Sequence, residues 1–128
     1  MCGKVQFEAK GPLRGVVACH CSQCRIQTGT YVSATRCATD DLTVIGYDNI
    51  TWFEASDDAA RAFCKTCGSF MFWRGHNNSE RTSIMAGCFH EPNDLKLVGH
   101  IYFADKGDLY ELHDDLPKYS KSDHGELV

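Results

Sequence analysis

The chain has 128 residues, enough for one hydrophobic core and too few for two, and its formal net charge is −4. Because no basic run is present to neutralise phosphates, we expect no nucleic-acid partner. No apolar run approaches the ~20 residues that span a bilayer, and the N-terminus lacks a signal-peptide pattern. We therefore expect a single domain over residues 1–128, a cytoplasmic location and no membrane partner.

Taken in chain order, short runs rich in β-branched and aromatic residues predict strands, separated by turns and loops. The predicted strands are 4–8, 14–18, 31–34, 42–45, 50–54, 69–74, 82–86 and 98–103. The run 69–74 is apolar on both faces, which is typical of a central strand. One short helix is predicted, from a capping Ser22 to about Thr28, with Gly29 as its stop. From about residue 118 the chain is polar, and we expect a frayed tail. The fold class is therefore mainly β.

Eight cysteines are unusual in a chain expected in a reducing compartment. There they are better explained as metal ligands than as a disulfide framework, with redox thiols and inert core cysteines as alternatives. Cys19, Cys21 and Cys24 form a C-x-C-x-x-C motif. Three thiolates at tetrahedral angles leave a fourth position for water or substrate, as in a catalytic zinc site. The predicted helix N-terminus would favour the thiolate form of Cys21 and Cys24.

A second motif, Cys64-x-x-Cys67-Gly, has the form of a zinc knuckle. Its natural partner is Cys2, at the other end of the chain, which would attach the first strand to the middle of the domain. This makes three ligands where a closed structural site needs four. Three explanations stay open: a fourth ligand from Cys37, Cys88 or a histidine, a ligand that would precede Met1, or a weakened site. Spacing alone leaves another arrangement open, a single four-cysteine zinc ribbon built from this pair and two members of the C-x-C-x-x-C motif.

His20 and Gln23 lie inside the first cysteine motif. Either side chain could donate a hydrogen bond to a sulfur or to a bound oxyanion, so both are candidate substrate-binding residues. Because His20 stands between two expected ligands, its side chain is expected to point away from the metal.

The combined motifs resemble the glutathione-dependent formaldehyde-activating enzyme (GFA) family, also called the CENP-V/GFA domain family. The resemblance covers nearly the whole chain and is carried by Cys2 to Glu8, Cys19 to Gly29, Phe63 to Ser69, Ala86-Gly87 and His100 to Lys106. It implies an Mss4-like fold of short antiparallel sheets with two zinc sites. The structural site would hold Cys2, Cys64 and Cys67, and the catalytic site Cys19, Cys21 and Cys24. The family's first cysteine would fall one position before Met1, so the structural site is expected to be incomplete.

The activity that this resemblance implies is a carbon–sulfur lyase reaction, the reversible condensation of formaldehyde with glutathione to S-hydroxymethylglutathione. Glutathione, or another small thiol, is then the expected partner, and Arg25 and Lys106 are candidates to attract its carboxylates. Two other classes of function stay open. One is a non-catalytic zinc module that binds a protein or another macromolecule, and the other is a redox repair enzyme with Cys88 as a reactive thiol.

Overall fold

The computed structural model describes residues 1–128 and shows the mainly β fold that the sequence predicts. Its strands are β1 (Gln6–Ala9), β2 (Val16–Cys19), β3 (Val32–Ala38), β4 (Leu42–Ile45), β5 (Ile50–Ser56), β6 (Ala59–Cys64), β7 (Phe70–Gly75), β8 (Arg81–Met85) and β9 (Leu97–Ile101). The α-helix is α1 (Ser22–Thr28), and single 3₁₀ turns occupy Thr39–Asp41, Tyr47–Asn49, His76–Asn78, Ala86–Cys88 and Phe103–Asp105. None of these helices combines the length and the apolar composition needed to cross a lipid bilayer.

Seven of the strands form one sheet in the order β5-β6-β7-β8-β3-β2-β9, and β1 pairs with β4 in a separate antiparallel ribbon. All neighbours in the large sheet are antiparallel except β2 and β9, which run parallel. The sheets are therefore mostly, but not entirely, antiparallel as predicted. A parallel pair needs a long connection, and the whole of β3 to β8 lies between β2 and β9.

The main core lies between the large sheet and the β1–β4 ribbon. Phe72 and Ile84 are opposite each other on β7 and β8 and are 1% and 0% exposed. Phe7 of β1 meets Phe72 edge to face, with ring centres 5.6 Å apart. Alternate residues of these strands point away from this core, so the sheet has a second face on which other residues can form a site.

All eight predicted strands are present, with ends that differ from the prediction by up to four residues. The prediction missed β6, which it treated as a segment leading into Cys64. The reason is composition. The first four of its six residues are three alanines and one arginine, and such a run has little strand propensity. Pairing with β5 on one side and β7 on the other makes it a strand.

The structure differs from the frayed tail that the sequence predicts after residue 118. The amide of Tyr119 donates to the His100 carbonyl at 2.9 Å, and the amide of Tyr102 donates to the Lys121 carbonyl at 2.9 Å. Leu127 is only 7% exposed. The segment covers the free edge of β9, and this backbone pairing cannot be read from its polar composition.

We expect Phe72→Ala to lower the free energy of unfolding by about 3–5 kcal/mol, because it opens a cavity between the two sheets. Equilibrium urea unfolding at matched metal content measures this. Phe53→Ala is the matched control, because Phe53 is 59% exposed and its loss should change stability by about 0.5 kcal/mol or less. Equal losses in the two variants would contradict the placement of the core.

Candidate functional site

Three cysteines converge where β2 ends and α1 begins. The sulfurs of Cys19, Cys21 and Cys24, here called the first triad, lie within 4.8 Å of one another. Cys19 is the last residue of β2, and the Cys21 sulfur caps α1 by accepting the Cys24 amide at 3.4 Å. The cap is thus Cys21 and not Ser22, while the helix ends at Gly29, with φ of 94°, as predicted. A strand end and a helix cap together bring the sulfurs to one point.

The donor set of the first triad fits a zinc ion with one position left over. Tetrahedral coordination with Zn–S bonds of about 2.3 Å places sulfurs about 3.8 Å apart, and thiolate sulfur is a preferred zinc ligand. Hydrogen bonds from the Cys19 and Cys24 thiols lower the pKa of Cys21, whereas the bond to Cys21 raises the pKa of Cys19. Three thiolates cannot share this space without a cation, and a divalent metal would offset two of their three negative charges.

The second triad consists of Cys2, Cys64 and Cys67, whose sulfurs also lie within 4.8 Å of one another. The Cys2 and Cys64 sulfurs are 3.6 Å apart. The Ser69 hydroxyl lies 3.2 Å from the Cys67 sulfur, and this hydrogen bond contributes most to lowering the pKa of Cys67 to about 5. The chain therefore holds two separate groups of three, and the mixed four-cysteine ribbon is not formed.

No fourth His, Cys, Asp or Glu joins either triad within the same distance. Cys37 is buried in the main core at 1% exposure. The Cys88 thiol donates a hydrogen bond to the Phe70 carbonyl oxygen, at 3.4 Å. Neither of these candidates for a fourth ligand of the second triad is brought to it.

A cavity of about 520 Å³ lies beside the first triad, and all three of its cysteines line it. The floor is the second face of the large sheet. Arg61, Trp73, Ser83 and Arg36 pair in register across β6, β7, β8 and β3, and so form one row on that floor. Neighbouring strands are about 4.8 Å apart, so the row extends roughly 14 Å across the sheet.

Arg61 is the most buried charged side chain of this cavity, at 5% exposure. Its guanidinium donates to Gln27 Oε1 at 2.7 Å, to Gln23 Oε1 at 3.3 Å and to the Cys24 sulfur at 3.6 Å. It lies over the Phe70 ring, and its Nε has no partner. A buried guanidinium needs a compensating charge, and no carboxylate pairs with Arg61. A thiolate of the first triad would supply that charge.

Gln23 thus lines the cavity, as expected of a substrate-binding candidate, and also contacts Arg61. Sequence reasoning missed Arg61 itself. The available signal was a single arginine within the otherwise apolar run 59–63. An arginine among residues that are usually buried must itself be buried, and a buried arginine almost always has a specific partner.

His20 points to the opposite side of the β2–α1 junction and does not line the cavity. It is fully buried, and its Nε2 lies 3.0 Å from Nδ1 of His100. Nε2 of His100 in turn lies 2.9 Å from Asp114 Oδ2, and Nδ1 of His20 is hydrogen-bonded to the Tyr110 hydroxyl. We call these four residues the histidine chain. The resemblance segments Cys19 to Gly29 and His100 to Lys106, which contain its two histidines, were the sequence signals for it.

The donors of the histidine chain follow from its carboxylate end. Asp114 accepts the His100 Nε2–H, so Nδ1 of a neutral His100 must accept from His20, and Nδ1 of His20 must accept from Tyr110. Burial lowers the pKa of His20 to about 4, which keeps its ring neutral. His20 is therefore held by two hydrogen bonds. Because it lies between Cys19 and Cys21 in the chain, these bonds also restrain the first triad from the side opposite the cavity.

We expect Asp114→Asn to reduce stability above about pH 5, and the deficit to shrink as the pH falls further. Hydrogen bonds from Lys118 and His100 lower the pKa of Asp114 to about 2, below its ordinary value of 3.8. The unfolded chain then binds more protons between these values, so the contribution of Asp114 is present above them and is lost on acidification. Urea unfolding from pH 7 to about 2.5, with chelator present, measures the difference between the two proteins.

Asp40→Asn is the matched control for this series, because Asp40 is exposed and its side chain makes no hydrogen bond. This control tests whether removal of an exposed carboxylate without a hydrogen-bond partner reproduces the effect of Asp114→Asn, and we expect that it does not. A deficit in Asp114→Asn that stays constant down to the lowest pH would contradict the assigned hydrogen bonds.

Comparison with known proteins agrees with the observed fold and with the presence of the two cysteine triads. The model of the family described as "Glutathione-dependent formaldehyde-activating enzyme" matches residues 1–105. A Schizosaccharomyces pombe protein named as an uncharacterized lyase is 29% identical over 93 residues, which are 73% of this chain and 67% of that protein. A crystal structure of a Rhodobacter sphaeroides protein has a TM-score of 0.59 and 24% identity, over 75% of this chain and 94% of that one, and supports the fold alone. Since the family match spans most of the chain and includes both cysteine triads, the chain belongs to the glutathione-dependent formaldehyde-activating enzyme family.

Proposed function

We propose that this protein is a zinc-dependent carbon–sulfur lyase-type enzyme that acts on an adduct of glutathione and an aldehyde, as an S-hydroxymethylglutathione synthase does. One observation carries the proposal: the first triad offers three sulfurs, and not four, to a metal at the edge of a cavity. The family description, which names glutathione and formaldehyde, and the lyase name of the yeast relative support the reaction class.

The first triad would hold the catalytic zinc, through Cys19, Cys21 and Cys24. When bound there, zinc would supply Lewis-acid chemistry, favouring the thiolate form of a thiol or polarising a carbonyl oxygen. The positively charged guanidinium of Arg61 lies beside the first triad, 3.6 Å from the Cys24 sulfur. In the condensation the thiol sulfur forms a bond to the carbonyl carbon, and the thiol proton ends on the former carbonyl oxygen. The reaction therefore requires no redox partner.

The second triad would hold a structural zinc through Cys2, Cys64 and Cys67. Such an ion would tie the segment before β1 to the turn between β6 and β7. We also propose that residues 1–128 form one domain with an Mss4-like fold, because the two sheets share the main core and the C-terminal segment pairs with β9.

The cavity and the state of Cys88 favour this function over the two alternatives. A cavity of about 520 Å³ lies within the range of small-molecule sites, and a module for a macromolecule would not require it. A redox enzyme would need a reactive thiolate at Cys88. Burial raises the pKa of this thiol, which opposes ionisation and so opposes that role.

We expect Cys24→Ser to lose about one equivalent of zinc and, with it, glutathione binding, because two sulfurs and a hydroxyl hold zinc poorly. Metal analysis of the purified protein and calorimetric titration with glutathione measure the two losses. Unchanged glutathione binding in this variant would contradict the proposed role of the first triad.

Two variants serve as controls for Cys24→Ser. Cys67→Ser should lose metal from the second triad and keep glutathione binding. Cys37→Ala should keep both, because Cys37 lies in the main core outside the two triads. If all three variants lose glutathione binding equally, the effect is one of stability and not of the site.

A further inference from the structure

Two arginines lie side by side at the end of the cavity that is farther from the first triad. Arg14 and Arg36 both line the cavity, and the Arg14 amide donates to the Arg36 carbonyl at 3.0 Å, so their backbones are neighbours across the sheet. Arg36 is also the last member of the row that starts at Arg61. None of these arginines was a binding candidate from the sequence, and Arg25 and Lys106, which were, do not line the cavity.

The two guanidiniums have unused hydrogen-bonding capacity. The Arg36 side chain makes no hydrogen bond, and neither arginine has an ion pair with a carboxylate within 4.0 Å. Arg14 donates only to two backbone carbonyls, those of Gly15 and Ala34. Since each guanidinium has five N–H groups, several donors remain free to face the cavity.

The like charges of this pair are held together without an anion between them. Burial, and after it the neighbouring charge of Arg36, lowers the pKa of Arg14 to about 10. A bound anion would relieve both effects, because it replaces lost solvation and attracts both charges. Such a pair is suited to a carboxylate, which can accept two parallel hydrogen bonds from a guanidinium.

The acidic residues that line the same cavity do not satisfy this pair. Asp105 is paired with Lys121 at 3.2 Å, and Asp123 accepts the amide of Leu127 at 2.8 Å. Asp123 is close enough to oppose the fall in the pKa of Arg14, but forms no ion pair with it. The third acid, Asp58, is exposed.

The distance between the pair and the first triad suits a ligand of peptide size. Cys19 is opposite Val32 on β3, and Arg36 lies four residues further along the same strand, which is about 13 Å. An extended peptide spans about 3.3–3.6 Å per residue, and arginine side chains reach into the cavity, so a tripeptide thiol spans the gap. The floor between the two ends is apolar, with Ala34 and Met85 opposite each other.

We propose that Arg14 and Arg36 form a carboxylate-binding subsite, which holds the far end of an acidic thiol whose sulfur lies at the first triad. This inference rests on the proposed function and adds the residues that would recognise the carboxylate end of the thiol. A thiol without that carboxylate would bind at the sulfur end alone.

The test compares Arg36→Gln with the unmodified metal-loaded protein by calorimetric titration of three probes. Glutathione has a thiol and carboxylates, its diethyl ester keeps only the thiol, and S-methylglutathione keeps only the carboxylates. We expect Arg36→Gln to weaken the binding of glutathione and of S-methylglutathione by about tenfold or more. The affinity for the diethyl ester should not change, because only the first two probes have a carboxylate that can accept a charge-assisted hydrogen bond from Arg36. Arg36→Lys should recover part of the loss, because it restores charge without the planar fork.

Arg81→Gln is the matched control, because Arg81 is exposed and does not line the cavity, and it should bind all three probes normally. Thermal unfolding verifies that the Arg36 variants are folded. Equal affinity for glutathione in Arg36→Gln and the unmodified protein overturns the subsite and leaves the proposed function standing. If glutathione and S-methylglutathione bind equally well, both depend on Arg36, and the diethyl ester does not bind, the subsite stands and the proposed function fails. If the unmodified protein binds none of the probes, both are wrong.

Discussion

The candidate site depends on the convergence of three sulfurs at the β2–α1 junction. Cys19 is placed by pairing of β2 with β3 and β9, and Cys21 and Cys24 by the cap of a seven-residue helix. A helix of this length has little stability of its own, so the sulfurs would not stay together without support from the surrounding structure. A metal shared by the three would link strand and helix, which makes metal binding and local folding parts of one equilibrium.

Buried polar side chains supply that support from two sides. On the cavity side Arg61 contacts the Cys24 sulfur and two glutamines of α1, and on the other side the histidine chain holds His20. Each polar group would be costly to bury alone, and together they leave few alternatives to the observed geometry. The site is thereby fixed by contacts between distant segments, and not by the cysteine motif alone.

The register of the large sheet links the site to its ligand. Because side chains alternate between faces, the residues that point away from the main core form the cavity floor, and their pairing across strands puts Arg61 and Arg36 in one row. A shift of one residue in β3 would move Arg36 into the core face. The same pairing that buries Phe72 and Ile84 thus determines the charge distribution of the cavity.

Much of this protein is determined by the sequence itself: eight strands, the bounds of α1 and two groups of cysteines, because strand propensity, a capping turn and ligand spacing are local properties. The separation of Cys64 and Cys67 from the first triad was left open by their spacing, and the tertiary structure decided it. Tertiary contacts also made β6 a strand, paired the C-terminal segment with β9, and joined Arg61 to Cys24 and His100 to His20. The last two contacts join residues 37 and 80 positions apart, and their energy depends on burial and register, which exist only once the sheet has formed.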